Sequence, residues 1–114
     1  LTGTDIAGAS ITENLTVSSG TTAASTKAFK TVTRIDADLT TGQTAKTVKV
    51  GTGDLLGLNC KLAKNTVLFD FVGATRDTTA PGVTVNSTVL SLNTIDTYTA
   101  PGGSATKIWY VVDA

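Results

Sequence analysis

Twenty-four threonines against a single glutamate, Glu13, constrain this 114-residue chain more than any motif in it. Threonine loses rotamer freedom in a helix and packs well on a pleated surface, and glutamate is one of the strong helix formers the chain lacks. Strands are therefore the expected element throughout. The clearest expected strand is 47–50, where Val48 and Val50 alternate with Thr47 and Lys49 in the period-2 pattern of a half-buried strand. The stretch TVKVGTGDLLGL at 47–58 then turns on Gly51, Gly53 and Gly57. That spacing predicts an organising corner in which at least one of Gly53 and Gly57 has positive φ, while Leu55 and Leu56 return to the core. The glycines do not link a strand to a helix, and no Lys-Ser/Thr pair follows them, so the corner is not a phosphate cradle.

Residues 1–6 and 11–17 read as a hairpin across the small-residue turn 7–10, with 18–25 as an aperiodic loop. In 27–39 the alternation predicts a strand that buries Thr31, Thr33, Ile35, Ala37 and Leu39, and 40–44 turns the chain. A short strand is expected at 60–62. The apolar strand 66–72 is expected at the centre of a sheet, with Val67, Phe69 and Phe71 on one side and Leu68, Asp70 and Val72 on the other. Residues 74–82 read as a loop, 83–92 as a strand, 93–106 as a long loop carrying Pro101, and 107–112 as a closing strand. Together these predict one all-β domain over residues 1–114, a β-sandwich or jelly-roll-like fold of about seven to eight short antiparallel strands.

The residue inventory narrows chemistry sharply. There is no histidine, which removes the usual base of a nucleophilic triad and the commonest transition-metal ligand. One cysteine, Cys60, forms no internal disulfide and reads as a small buried apolar residue rather than a reactive thiol. Nine basic and nine acidic residues cancel, so no basic stripe points to nucleic acid or anionic lipid, and no apolar run is long enough for a membrane helix. With no methionine, the chain is expected to be the processed or ordered part of a longer one.

Several side chains are candidates for a site, each beside a plainer reading. Asp36 and Asp38, two apart on the expected strand, can share Ca²⁺ with Asp54 or Asp77; solvated carboxylates beside Arg34 are the favoured alternative. Glu13 with any aspartate is the minimum a glycosidase needs. Trp109, Tyr110 and Tyr98 can form a stacking patch for sugars or bases, against core packing as the favoured role of Trp109. Asn14-Leu15-Thr16 and Asn86-Ser87-Thr88 match the N-glycosylation pattern, as a threonine-rich chain does by chance. None of these supports a catalytic, cofactor-binding or metal assignment, so the expectation is no enzyme, no cofactor and no bound metal.

Five segments in order carry a resemblance over nearly the whole chain: Thr2 to Asp5 with Gly8 and Ile11 to Glu13, Lys27 to Val32, Val50 to Asp54 with Leu56 to Leu58, Thr97-Tyr98, and Pro101 with Gly103. They resemble a family of tailed-bacteriophage virion structural proteins with the pattern T-G-T-D-x-x-G-x-x-[IV]-T-E, K-A-F-K-T-V, V-G-T-G-D-x-L-G-L and T-Y-x-x-P-x-G. Family members carry a preceding strand region absent here, and their late R-G-T-Y is replaced by Asp96-Thr97-Tyr98. The resemblance implies a capsid decoration or cement protein on the outer surface of the particle. Its implied partners are the major capsid protein or other virion subunits, with the chain itself oligomeric in the assembly. A tail or head-tail component and a carbohydrate- or receptor-binding spike module are the alternatives. Because 1–17 holds Asp5 and Glu13 but no Lys, Arg or Pro, its first strand is expected to be a poorly protected edge open to a neighbouring chain.

Overall fold

The computed structural model describes residues 1–18, 20–38, 47–103 and 105–111. Nine short strands and one 3₁₀ turn account for the regular structure among them. They are β1 (Thr2–Thr4), β2 (Ser10–Thr12), β3 (Thr31–Arg34), β4 (Leu55–Gly57), β5 (Val67–Val72), β6 (Thr75–Arg76), β7 (Gly82–Thr84), β8 (Thr94–Asp96) and β9 (Thr106–Tyr110), with the turn at Leu90–Leu92 before β8. The all-β expectation holds. Every pairing is antiparallel, and the strands divide into three sheets of three, ordered β2-β1-β3, β4-β8-β7 and β6-β5-β9.

The first sheet starts from the expected hairpin. Asp5 is buried, and its Oδ1 accepts from the backbone N–H of Ala7 and Ala9 at 3.0 and 2.9 Å, which holds the turn around Gly8 at φ +86°. β1 is not an edge, contrary to the sequence expectation: β2 pairs with one side and β3 with the other. The edges of this sheet are β2 and β3. Gly3 makes the second pairing possible, since a Cβ there would overlap the Thr31 carbonyl oxygen and sit 2.9 Å from the Phe29 ring. Beyond β2, Glu13 fastens the next loop by accepting from the Ser25 hydroxyl and from Thr26 N and Oγ1 and Lys27 N at 2.9, 2.7 and 3.3 Å. Burial pushes the Glu13 carboxyl up, but the bonds from Ser25, Thr26 and Lys27 outweigh it and hold it below the usual glutamate value.

Among the described residues the hydrophobic core is small: Leu58, Leu62 and Ile95 are buried, with Leu56, Cys60, Val67, Val83, Val85, Ile108 and Tyr110 packed around them. Cys60 packs against the core but is half-buried rather than buried as the sequence suggested. Ile95 comes from β8, the centre of the second sheet, in a stretch whose turn residues read as loop. Beside it, Asn93 is fully buried and its amide is saturated. Oδ1 accepts from Leu62 N and Asn86 N, each at 2.9 Å, while Nδ2 donates to the carbonyls of Asn86, Val89 and Leu90 at 2.8, 2.9 and 3.3 Å.

The stretch expected to organise the chain does not. Residues 47–54 contain no strand, and Thr47, Val48, Lys49 and Val50 are all exposed. Four residues of alternation without a partner strand bury nothing. Gly51, Gly53 and Gly57 all lack positive φ; that conformation belongs to Gly8, Gly20, Gly73, Gly102 and Gly103. Gly57 is constrained by space instead, with a Cβ there falling 2.7 Å from Ala28 Cβ, whereas nothing lies within 4 Å of one at Gly53. The expected strand 27–39 shortens to β3, on which Thr31, Val32, Thr33 and Arg34 are all exposed, and Ile35 and Ala37 beyond it are exposed too. Leu39 and the turn 40–44 lie outside the described residues, as does Val112 of the closing strand. Residues 60–62 form no strand, although Leu62 is a core residue.

Three predictions follow from these contacts. Replacing Asn93 with Ala leaves the buried Leu62 N–H and the part-buried Asn86 N–H unpaired, at about 1–3 kcal/mol each, so urea denaturation should show a loss of several kcal/mol. Gly3→Ala should lower the melting temperature because backbone must move, whereas Gly53→Val should change stability by less than about 0.5 kcal/mol. Glu13 has a lowered folded-state pKa, so its contribution is complete above its unfolded value and disappears as pH falls through the folded one. Melting curves of the wild-type chain and Glu13→Gln should therefore differ at neutral pH and converge in acid.

Candidate functional site

The third sheet has a face that its own sequence makes apolar and that the fold leaves uncovered. β5 carries VLFDFV, and a register shift between Val67 and Phe69 in its pairing with β9 lets Leu68 bulge out. The bulge reverses the alternation. Val67, opposite Tyr110, joins Asp70, opposite Ile108, on the inner face, and Val67, Ile108 and Tyr110 pack on the core. Phe69 faces outward opposite Trp109, and Phe71 opposite Lys107 on one side and Arg76 of β6 on the other. Val67 and Phe69 therefore lie on opposite sides, not on one as simple alternation predicted.

On the outer face the rings of Phe69, Phe71 and Trp109 form a mutual cluster. Centroid separations are 6.1 Å for Phe69 and Phe71, 5.3 Å for Phe69 and Trp109, and 5.2 Å for Phe71 and Trp109. The Arg76 guanidinium carbon stands 4.9 Å from the Phe69 centroid. Edge-to-face and tilted ring pairs contribute about 0.5–1.5 kcal/mol each beyond area burial, and a guanidinium over an exposed ring about 0.5–1 kcal/mol, so the cluster is held in one arrangement without a partner. Trp109 nevertheless remains 43 % exposed, against the core role favoured from sequence, and Leu68 and Val111 at its margins are 61 % and 52 % exposed. Register places two cations, Arg76 and Lys107, on this face.

The other sequence candidates scatter. Asp36 lies past the end of β3 in a surface ion pair, Arg34 Nε to Asp36 Oδ1 at 2.8 Å, with both side chains more than half exposed. Asp38 and Asp54 are exposed, while Asp77 accepts from Thr99 N and Oγ1 at 3.0 and 2.9 Å, so these carboxylates do not converge. Among the described residues no group of three or more His, Cys, Asp and Glu is placed to hold a metal. Glu13 is committed to the Ser25 to Lys27 loop. Tyr98 is 72 % exposed on the loop after β8, and the Tyr110 hydroxyl donates to Asn59 Oδ1, its pKa pushed up to about 12 by burial and then by the Cys60 thiol. Trp109 therefore partners Phe69 and Phe71 rather than the tyrosines. Asn86 Oδ1 accepts from Thr88 N and Oγ1 and from Val89 N, so its side chain is engaged in a local turn.

Hollows of about 90 Å³, lined in part by Phe29, Lys30, Gly57 and Ser91, and of about 150 Å³, lined in part by Lys61, Leu62 and Thr66, fall below the roughly 300–1,000 Å³ of small-molecule pockets. What the arrangement offers is an exposed face, apolar at its centre and positive at its side, rather than a cleft. Phe69 and Phe71 were legible as one side of a strand, and the pairing of VLFDFV with TKIWY held the rest of the signal. No protein-family model matches the chain, and no curated protein or solved structure matches it either.

Proposed function

We propose that this chain is a structural protein of a bacteriophage virion, a capsid decoration or cement protein that docks through the outer face of β6-β5-β9. The observation that carries the reading is the exposed cluster of Phe69, Phe71 and Trp109 with Arg76 beside it. Aromatic residues and arginine are the side chains that dominate protein-protein hot spots. The five-segment resemblance supplies the virion context, and the shape agrees with it. The chain measures 51 × 29 × 19 Å with a radius of gyration of 16.1 Å, against about 13 Å for a compact domain of this length. Its accessible surface is 7973 Å², about 2,000 Å² more than a compact monomer of this mass exposes. A standard interface takes about 800 Å² from each partner, so there is ample surface to give up on docking.

Charge selects the occupant. Two copies meeting face to face through this sheet would set Arg76 and Lys107 against their own equivalents, which opposes self-pairing. The fitting partner is a different protein surface, flat and apolar with an acidic rim, as one site on a capsid subunit repeated over the shell would provide. Many copies of the chain would then share the particle without contacting each other through this face. No step of this role needs a catalytic group, a cofactor or nucleic acid.

The test is reconstitution on particles of the encoding virus that lack this chain. Wild-type protein should bind saturably and raise the temperature at which the particles release their genome. Trp109→Ala should weaken binding by at least about 2 kcal/mol, roughly thirtyfold in Kd, and Arg76→Glu should weaken it further as salt is lowered, while Val48→Ser should bind normally. Equal binding by all the variants would overturn the docking face. Binding of the wild-type chain to a host glycan but not to particles would assign the receptor-module reading instead.

A further inference from the structure

The inner face of the same sheet holds an unresolved charge, and it points beyond docking to a ligand. Asp70 is 1 % exposed, and neither of its carboxylate oxygens has a hydrogen-bond partner. Because Phe71 pairs with Arg76 and Val72 with Thr75, the next residue of the hairpin, Asp77, falls directly opposite Asp70; its N–H donates to the Asp70 carbonyl at 3.1 Å. On the other flank Thr106 pairs with Val72, diagonal to Asp70 on the same face, and its Oγ1 is likewise buried without a partner. Two carboxylates directly opposite each other repel, and a buried carboxylate with no partner is costly.

We propose that Asp70 and Asp77, together with the Thr106 hydroxyl, form a binding site for a hard divalent cation, Ca²⁺. The donors are all oxygen, with no imidazole or thiolate, which selects Ca²⁺ or Mg²⁺ over transition metals. Asp77 is already oriented by Thr99 N and Oγ1, leaving its remaining lone pairs available. Asp70 can supply two oxygens, Asp77 one and Thr106 one, four of the six to eight that Ca²⁺ takes, with water completing the shell. Mg²⁺ requires a nearly regular octahedron and sheds its waters reluctantly, which disfavours it at a buried carboxylate. Two carboxylates fix the affinity class at about 10⁻⁴ to 10⁻³ M, that of extracellular modules rather than of intracellular sensors. Burial, and next the charge of Asp77, push the Asp70 carboxyl above the usual aspartate value.

The experiment takes the chelator-treated chain and measures its melting temperature against added Ca²⁺, with calorimetric titration of the same protein. At 10 mM Ca²⁺, about tenfold above the weaker expected Kd, the melting temperature should rise by about 5–10 °C, and 10 mM Mg²⁺ should give less than half of that rise. Asp70→Asn and Thr106→Val should each lose at least half of the shift, while Asp36→Asn should keep all of it. If Asp70→Asn does not fold, Thr106→Val and the calorimetric isotherm decide. No heat and no shift with Ca²⁺, together with Asp70→Asn at least as stable as the wild-type chain, would overturn the proposal and make Asp70 a neutral carboxylic acid. An equal shift with Mg²⁺, or a shift abolished by Asp36→Asn but not by Thr106→Val, would overturn it too.

Discussion

One buried amide holds together segments that the small core could not hold alone. Asn93 sits at the entry to β8, and its side chain reaches Leu62 on one side and Asn86, Val89 and Leu90 on the other. Its backbone adds two more ties, the N–H donating to Leu90 O at 3.0 Å and the carbonyl accepting from Leu58 N at 2.8 Å. Two of the three buried core residues, Leu58 and Leu62, are thereby fixed by hydrogen bonds to the residue two before the third, Ile95. Away from water such bonds are electrostatically stronger and leave no alternative partner, so the network specifies one arrangement where three aliphatic side chains would permit several.

The same economy recurs where hydrophobic burial is thin. The first sheet has no buried large apolar residue on its strands, and it is held by the Asp5 turn, the close approach at Gly3 and the Glu13 clasp. In the third sheet the cohesion comes instead from ring-to-ring contact on the outside. A chain built this way exposes more surface than its mass predicts, and it does so because each three-stranded sheet has two faces and the core covers few of them.

How far the sequence could be read depended on whether a segment carried its own partner. The hairpin of β1 and β2 was legible because both strands and the Asp5 to Gly8 turn are contiguous, and β5 and β9 were legible from their apolar and aromatic content. The alternation of 47–50 failed because valine two residues apart says nothing about whether another strand is at hand. β8 was missed for the opposite reason: Asn93 before it and Asp96 at its end are turn formers by composition, and only the pairing with β4 and β7 makes Thr94–Asp96 a strand. The positive φ expected at Gly53 or Gly57 is at neither, and what constrains Gly57 is the proximity of Ala28, which no local dihedral preference reveals. For the site, the residues of β5 were in view and the outward direction of Phe69 and Phe71 was not. A bulge at Leu68 leaves no mark in a period-2 pattern, yet it decides which side of the strand meets water.

That bulge makes β5 a strand with two unrelated obligations. Phe69 and Phe71 face out with Trp109, and Asp70 between them faces in toward Asp77 and Thr106. A flat docking surface binds well only if little order has to be created on contact, since each side chain immobilised at an interface costs about 0.5–1.5 kcal/mol. The outer rings are ordered by one another, but the backbone that spaces them is the backbone of Asp70 and of the Asp77 hairpin. Two carboxylates facing each other on the inner side oppose the approach of the backbone segments that carry them, next to the point where Arg76 stands over Phe69. A cation seated between Asp70 and Asp77 would draw those two strands together and fix the outer face by the same act. With the cation in place, the charge beneath the sheet and the aromatic surface above it would act together, the polar interior of β5 ordering its apolar exterior.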